Sequence, residues 1–296
     1  MRCLVAGCGF VGEIVAQRLH DRAGEVTGMV RSPDSAKALE EKSGFAVEAA
    51  DLSDAGAVKA LADRVGRMDA VVHCASSGRG GDREAKYRAV YVDGCRNLLQ
   101  GFPGAHLVFV SSSSVYGQKD GGEVDEESLT EPDTTTSRIL LEAESIALEA
   151  GGAVARLAGI YGPGRSFLLK RFLEGDSVID GEDSDADGRW VNQIHRGDAA
   201  GGIVTMLDQA ADGVFNVADN HPLRQREIYS RFCERFERAI PPVKTPDFER
   251  PRGWSDKRVL NGKLRSIGWQ PRYASYFDAL DGDPELLPSI LESLNL

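Results

Sequence analysis

Residues 3–12 read Cys3-Leu4-Val5-Ala6-Gly7-Cys8-Gly9-Phe10-Val11-Gly12, an apolar run followed by three spaced glycines. The spacing G-x-G-x-x-G is typical of a strand, a tight turn and the start of a helix. In that arrangement the first glycine makes the turn, the second lets the backbone approach a pyrophosphate, and the third lets the helix pack closely on the strand. The stretch therefore predicts a dinucleotide-binding loop formed by Gly7, Gly9, Phe10, Val11 and Gly12, with the phosphates at the helix N-terminus.

The sequence after the glycines agrees with this prediction. Val11, Ile14, Val15 and Leu19 recur at helical spacing, and residues 25–30 follow as a second strand. The motif therefore lies in a βαβ unit of the expected length. This context favours dinucleotide binding over the alternative of a structural glycine turn.

Further cofactor contacts are predicted where the next strands end. An acidic residue after the second strand would suit the ribose hydroxyls of NAD, whereas a positive residue suits the 2′-phosphate of NADP. Arg31 stands there, with the hydroxyl of Ser32 beside it, so we predict NADP rather than NAD; the alternative is a solvated arginine at a helix start. Asp51 is placed to reach the adenine amino group. The predicted contacts outside the glycine loop are Arg31, Ser32, Asp51, Leu52, Cys74 and Ala75.

Strands and helices alternate along the first 160 residues. The first five predicted strands, up to residue 110, are separated by helical patterns and indicate an α/β protein with a Rossmann-type, doubly wound parallel sheet and ligands at the carboxyl ends of the strands. We predict a dinucleotide-binding domain of residues 1–160, to which 191–219 return, and a smaller lid of residues 161–190 and 220–296. The predicted strands are 3–6, 25–30, 45–48, 70–75, 107–110, 153–157 and 214–217; later helices are expected at 82–100, 166–173, 195–207, 225–236, 260–267 and 288–294.

Composition and charge disfavour several classes of partner. A net charge of −11 disfavours nucleic acid and anionic membranes, since both reward a basic surface. No apolar run reaches the length of a membrane span, and no leader pattern is present. We therefore expect a cytoplasmic monomer or homodimer that binds a small molecule.

Neither the cysteines nor the acidic loop predicts a metal site. The five cysteines form no C-x-x-C pair, and each is expected to be a small buried apolar residue. Residues 183–188 resemble the opening of a calcium loop, but the twelfth position from Asp183 is Ile194, where a glutamate is needed. The segment is therefore predicted to be a solvated acidic loop.

Several later motifs give the chain a family resemblance. Together with the glycine loop, it resembles the extended and atypical branch of the short-chain dehydrogenase/reductase family, the NAD-dependent epimerase/dehydratase group. The matching blocks run in family order and are residues 7–12, 111–117, 156–165 and 192–200, with a later echo at 213–219.

The resemblance implies an active-site Ser or Thr four residues before the Tyr of the V-Y-G block, which is Ser112 here. It also implies a Tyr general acid/base with a Lys one helical turn later, because an ammonium on the same helix face stabilises the phenolate. Thr136 and Leu140 stand at these two positions, so the pair is missing. We name Tyr116 and Tyr161 as candidates to replace it. Ser112 either orients a substrate oxygen or satisfies loop backbone groups.

Two classes of function remain open. One is an NADP-dependent oxidoreductase, epimerase or dehydratase acting on a small carbonyl or sugar-nucleotide substrate with a rearranged acid/base. The other is a dinucleotide-binding sensor or scaffold without turnover. His73 is either a hydrogen-bonded structural histidine or a catalytic one, and His195 and Asp198 are assigned structural roles. Four arginines are surface residues or contacts of an anionic substrate: Arg165, Arg189, Arg250 and Arg258.

Overall fold

The computed structural model describes residues 1–78, 80–184, 186–248 and 253–295. Its strands are β1 (Arg2–Ala6), β2 (Glu25–Val30), β3 (Ala46–Ala49), β4 (Ala70–His73), β5 (His106–Ser112), β6 (Glu123–Val124), β7 (Ala153–Leu157), β8 (Gly159–Tyr161), β9 (Ile179–Asp180), β10 (Trp190–Val191), β11 (Gln193–His195), β12 (Gly213–Val217), β13 (Leu223–Arg224), β14 (Val243–Lys244) and β15 (Arg258–Val259). The helices are α1 (Gly12–Asp21), α2 (Pro33–Ser43), α3 (Ala55–Val65), α4 (Arg83–Tyr87), α5 (Gly94–Gly101), α6 (Thr135–Glu149), α7 (Phe167–Glu174), α8 (Arg196–Asp208), α9 (Gln225–Phe236), α10 (Gly262–Ser266), α11 (Tyr276–Gly282) and α12 (Leu286–Ser293).

The centre of the fold is a seven-stranded parallel sheet in the order β12-β7-β5-β4-β1-β2-β3. The chain starts in the middle of this sheet, proceeds to β3 at one edge and then returns through β4 to the other edge. The strand order therefore reverses between β1 and β4, where parallel sheets of this type bind ligands at their carboxyl ends. The predicted α/β fold class is confirmed.

Apolar packing divides into two clusters. The larger one contains the sheet and its covering helices, including β4, whose four residues are all buried as in a strand covered on both faces. The smaller cluster is rich in aromatic residues and combines α7, α9, α11 and α12. The predicted domain boundaries stay a prediction.

Most predicted elements are confirmed, with local differences. The predicted helix over 82–100 is present, but residues Arg88–Asp93 form a π-helical segment within it. The predicted strand 70–75 is too long: β4 ends at His73, and the next two residues, Cys74 and Ala75, lie against Gly7 of the glycine loop. Helix α11 was not predicted from the sequence.

Candidate dinucleotide site and active site

Two of the three motif glycines are required by the fold itself. Gly7 has a φ of 98°, and a Cβ on it would lie 2.3 Å from the backbone nitrogen of Ala75. A Cβ on Gly12 would lie 2.2 Å from the carbonyl oxygen of Gly7. Both distances are far below a normal contact, so the turn and the start of α1 can form only with glycine at these positions.

Gly9 is different, because the fold does not require it. Its φ is outside the left-handed range, and a Cβ on it would have nothing within 4 Å. The residue is exposed at the tip of the loop that leads into α1. The open space beside Gly9, next to a helix N-terminus, fits the close approach of a pyrophosphate to the backbone.

Arg31 and Ser32 join β2 to α2, at the edge of the sheet that carries the glycine loop. Ser32 caps α2: its Oγ accepts a hydrogen bond from the Ser35 nitrogen at 3.3 Å and donates to Ser35 Oγ at 2.9 Å. Arg31 is exposed and makes no hydrogen bond or ion pair with another residue of the described ranges. Its charge helps to lower the pKa of Asp51, after the larger effect of the hydrogen bonds from Ser53. Arg31 is therefore available to a ligand, whereas the Ser32 hydroxyl is already used by the helix cap.

Of the other predicted cofactor contacts, Cys74 and Ala75 lie against the glycine loop, whereas Leu52 packs on Gly94 of α5. The Cys74 nitrogen donates to the carbonyl oxygen of Ala6 at 2.8 Å, and Ala75 lies directly against Gly7. Leu52 is buried, and its carbonyl oxygen accepts a hydrogen bond from Asn97 Nδ2 at 2.9 Å. The first two contacts hold the residues that follow β4 against the glycine loop.

The serines after β5 have different environments. Ser111 is buried and donates to the Glu144 carboxylate. Ser112 is half-buried, and its Oγ accepts from the Ser114 nitrogen at 3.2 Å, which leaves its own proton available to a ligand. Ser114 Oγ in turn accepts from Ser137 Oγ at 3.0 Å, on the first turn of α6. The serine loop is thus tied to the helix that carries Thr136 and Leu140.

Tyr116 lies in a buried polar network. Its hydroxyl donates to Asn216 Oδ1 at 2.8 Å and accepts from Arg156 Nη1 at 2.9 Å. Arg156 also pairs with Glu144, at 2.6 Å between Nη2 and Oε2. Burial raises the pKa of Tyr116. Because the side chain is only 1% exposed and both hydroxyl functions are used, this placement argues against the predicted acid/base role.

Tyr161 is equally enclosed. It packs against His195 and Tyr276, with ring centroids 5.5 and 4.6 Å away, and its hydroxyl has no hydrogen-bond partner in the described part of the chain. Burial raises its pKa, so its proton is harder to remove. His195 Nε2 lies 3.0 Å from Asp283 Oδ2 and joins α8 to the C-terminal helices. The catalytic assignment of Tyr161, like that of Tyr116, stays a prediction that this packing does not favour.

Lys257 is a residue that the sequence reasoning missed. It is buried, and its Nζ donates to the Tyr116 carbonyl oxygen at 2.8 Å and to Ser255 Oγ at 2.7 Å. No carboxylate of the described residues pairs with it. Burial, followed by the charge of Arg189, lowers its pKa to about 7, while Asp256 acts in the opposite direction. No local pattern could reveal this contact, because 141 positions separate the two residues.

Other predicted groups are placed as follows. Of the arginines proposed as anion contacts, Arg189 and Arg258 form ion pairs. Arg165 lies over the ring of Phe10 in the glycine loop, and Arg250 falls outside the described residues. Asp185 of the acidic loop also lies outside those residues. Within the described ranges no group of three His, Cys, Asp or Glu side chains could hold a metal ion. No helix of these ranges is long and apolar enough to cross a membrane.

A parallel sheet with its ligand edge at a G-x-G-x-x-G loop defines a nucleotide-binding α/β protein. The family model for the NAD dependent epimerase/dehydratase family matches residues 3–218, so the chain belongs to that family. The predicted resemblance is thereby confirmed; the missing Tyr/Lys pair stays a prediction. No curated protein matches the chain.

Solved structures agree with this fold. A Methylobacillus flagellatus protein, provisionally described as an NAD-dependent epimerase/dehydratase, is 25% identical with a TM-score of 0.72, over 100% of this chain and 99% of that one. The UDP-glucuronic acid 4-epimerase of Bacillus cereus, in complex with NAD, is 20% identical with a TM-score of 0.76, over 99% of each chain. The UDP-glucose-4-epimerase of Stenotrophomonas maltophila, with NAD and formylated UDP-arabinopyranose, is 19% identical with a TM-score of 0.78, over 100% and 99%.

Proposed function

We propose that the protein binds NADP at the glycine loop and acts as an oxidoreductase, epimerase or dehydratase on a small carbonyl or sugar-nucleotide substrate. The observation that carries the proposal is the contrast among the glycines. Gly7 and Gly12 are needed for the fold, whereas Gly9 is not, and the open space beside it lies next to the N-terminus of α1, where a pyrophosphate would bind. A cytoplasmic monomer or homodimer remains part of the proposal.

The preference for NADP rests on Arg31. An exposed guanidinium at the end of β2 would contact a 2′-phosphate through a charge-assisted hydrogen bond. The epimerases from Bacillus cereus and Stenotrophomonas maltophila were both determined with NAD, which does not favour NADP. Arg31→Ala is expected to bring the affinities for NADP and NAD together; an unchanged ratio would remove the support for this preference.

The chain's own residues would divide the chemistry between them. Bound NADP would supply the hydride donor or acceptor, held by Gly9, Phe10, Val11 and Arg31. The half-buried Ser112 hydroxyl, with its proton still available, would orient a substrate oxygen.

Beside the serine loop we infer a positioning role for Lys257, whose buried amine donates to the Tyr116 carbonyl and has no paired carboxylate in the described chain. Because burial lowers its pKa to about 7, the charge that holds this loop changes near neutral pH.

Turnover is tested by following NADPH absorbance against a panel of carbonyl compounds, and by chromatography of UDP-sugars incubated with the protein and NADP, because epimerisation and dehydration return the cofactor to its starting redox state. We expect wild-type activity to change with pH through about pH 7. Lys257→Met should lose activity while its affinity for NADP is unchanged. Wild-type activity with no inflection near pH 7 would exclude Lys257.

The second candidate, a dinucleotide-binding sensor or scaffold, is favoured by the burial of Tyr116 and Tyr161. NADP binding without turnover of any panel compound would select it.

A further inference from the structure

The guanidinium groups of two arginines lie over the ring of Phe10, in the middle of the glycine loop. The Arg165 guanidinium carbon lies 4.9 Å from the ring centroid, and that of Arg196 lies 5.1 Å from it. Phe10 is half-buried and immediately follows the open position at Gly9. Both cations therefore lie at the loop that leads into α1.

The two arginines come from adjacent strands. Arg165 follows β8 and Arg196 follows β11, which pair in parallel with Tyr161 opposite His195. A Cβ on Gly162 would lie 2.7 Å from Arg196 Cγ, so the aliphatic part of this arginine packs tightly over the β8 turn. That packing fixes the direction of the guanidinium towards Phe10.

The glycine loop itself carries no charge. Residues 7–12 contain no charged side chain, and the next acidic residue, Glu13, is paired with Lys42. Arg196 makes no hydrogen bond or ion pair with another described residue. Two guanidiniums therefore bring positive charge to this loop in a chain whose net charge is −11.

We propose that Arg165 and Arg196 together bind a diphosphate at the glycine loop. Guanidinium groups suit this ligand because their planar donors match phosphate oxygens in pairs. The diphosphate would be the pyrophosphate of the dinucleotide or that of a sugar-nucleotide substrate. The inference rests on the proposed function and adds to it residues that lie outside the family's glycine motif.

The test is isothermal titration of NADP into the full chain and into Arg165→Gln and Arg196→Gln. Each substitution is expected to weaken binding about ten-fold, or ~1.4 kcal/mol. Arg231→Gln is the matched control, because its guanidinium lies 4.9 Å from the ring of Phe277, in the smaller cluster. It should leave NADP affinity unchanged. If Arg196→Gln does not fold, Arg196→Lys takes its place. The lysine keeps the positive charge and the aliphatic contact with Gly162.

Two further titrations separate the sources of the diphosphate. If the arginines hold the substrate, the Gln variants should bind UDP-glucose about ten-fold more weakly at saturating NADP, while their affinity for NADP is unchanged. If the wild type binds no dinucleotide, the proposed function fails, and inorganic pyrophosphate then tests the arginines alone. Loss of pyrophosphate binding in the double variant would support the inference. Wild-type affinities for all three ligands in that variant would overturn it.

Discussion

The three motif glycines should respond differently to substitution, although they lie within six residues. Gly7→Ala places a Cβ 2.3 Å from a backbone nitrogen and keeps a φ of 98°. The left-handed backbone costs about 1–2 kcal/mol for an L-residue, and overpacking typically adds about 1–3 kcal/mol. Gly12→Ala meets a backbone oxygen at 2.2 Å and should lose a similar overpacking energy. We expect both variants to lose several kcal/mol of unfolding free energy.

Gly9→Val should leave the fold intact and abolish dinucleotide binding. With nothing within 4 Å of its Cβ and no positive φ, the expected change in unfolding free energy is within about 0.5 kcal/mol. The side chain would fill the space where a pyrophosphate approaches. A loss of at least about 100-fold in NADP affinity is expected, which corresponds to ~2.8 kcal/mol.

Urea unfolding and NADPH fluorescence titration measure the two effects separately. Gly262→Val is a matched control, because Gly262 also has an ordinary φ and nothing within 4 Å of a Cβ. It begins α10, which packs on β12, and β12 is four strand spacings, about 19 Å, from β1. The control should change neither quantity. Wild-type NADPH affinity in Gly9→Val, or unfolding of that variant, would refute the reasoning.

Three other substitutions test the interior and the active site. Lys257 has a folded pKa of about 7 against an ordinary value of 10.5, so the unfolded chain binds more protons between these values and wild-type stability should rise with pH there. Relative to Lys257→Met, the gain should be about 1.4 kcal/mol per pH unit from pH 7 to 9 in urea unfolding, and parallel pH profiles would contradict the assigned pKa. Glu144→Gln leaves the buried Arg156 charge unpaired and should cost about 3–5 kcal/mol of unfolding free energy; a change below about 1 kcal/mol would show that the pair is not structural. Thr136→Ala should keep any turnover within a few-fold of wild type, whereas collapse at unchanged NADP affinity would show that this helix position carries the proton.

Local sequence patterns predicted the elements whose causes are local. The strand Ala153–Leu157 and the helix Gln225–Phe236 have the predicted bounds, and Ser32 caps α2 as expected. Periodicity and capping act over a few residues, so a sequence pattern contains them. The positive φ of Gly7 is likewise a property of the local motif. The close contact of Gly7 with Ala75, in contrast, joins distant parts of the chain.

The environments of the candidate catalytic residues depend on distant partners. Tyr116 follows a strand at the ligand edge, which made it a candidate. Its hydroxyl, however, donates a hydrogen bond inside the protein to Asn216, 100 positions away. Lys257 reaches the same loop from position 257 and carries no motif. Sequence reasoning located the edge of the sheet but could not determine which side chains point inward.

Isothermal titration of NADP and NAD into the wild-type chain tests the central claim most directly. We expect one NADP per chain, bound about 10- to 150-fold more tightly than NAD, since a charge-assisted contact from Arg31 contributes about 1.5–3 kcal/mol. No binding of either dinucleotide would contradict the account of the glycine loop.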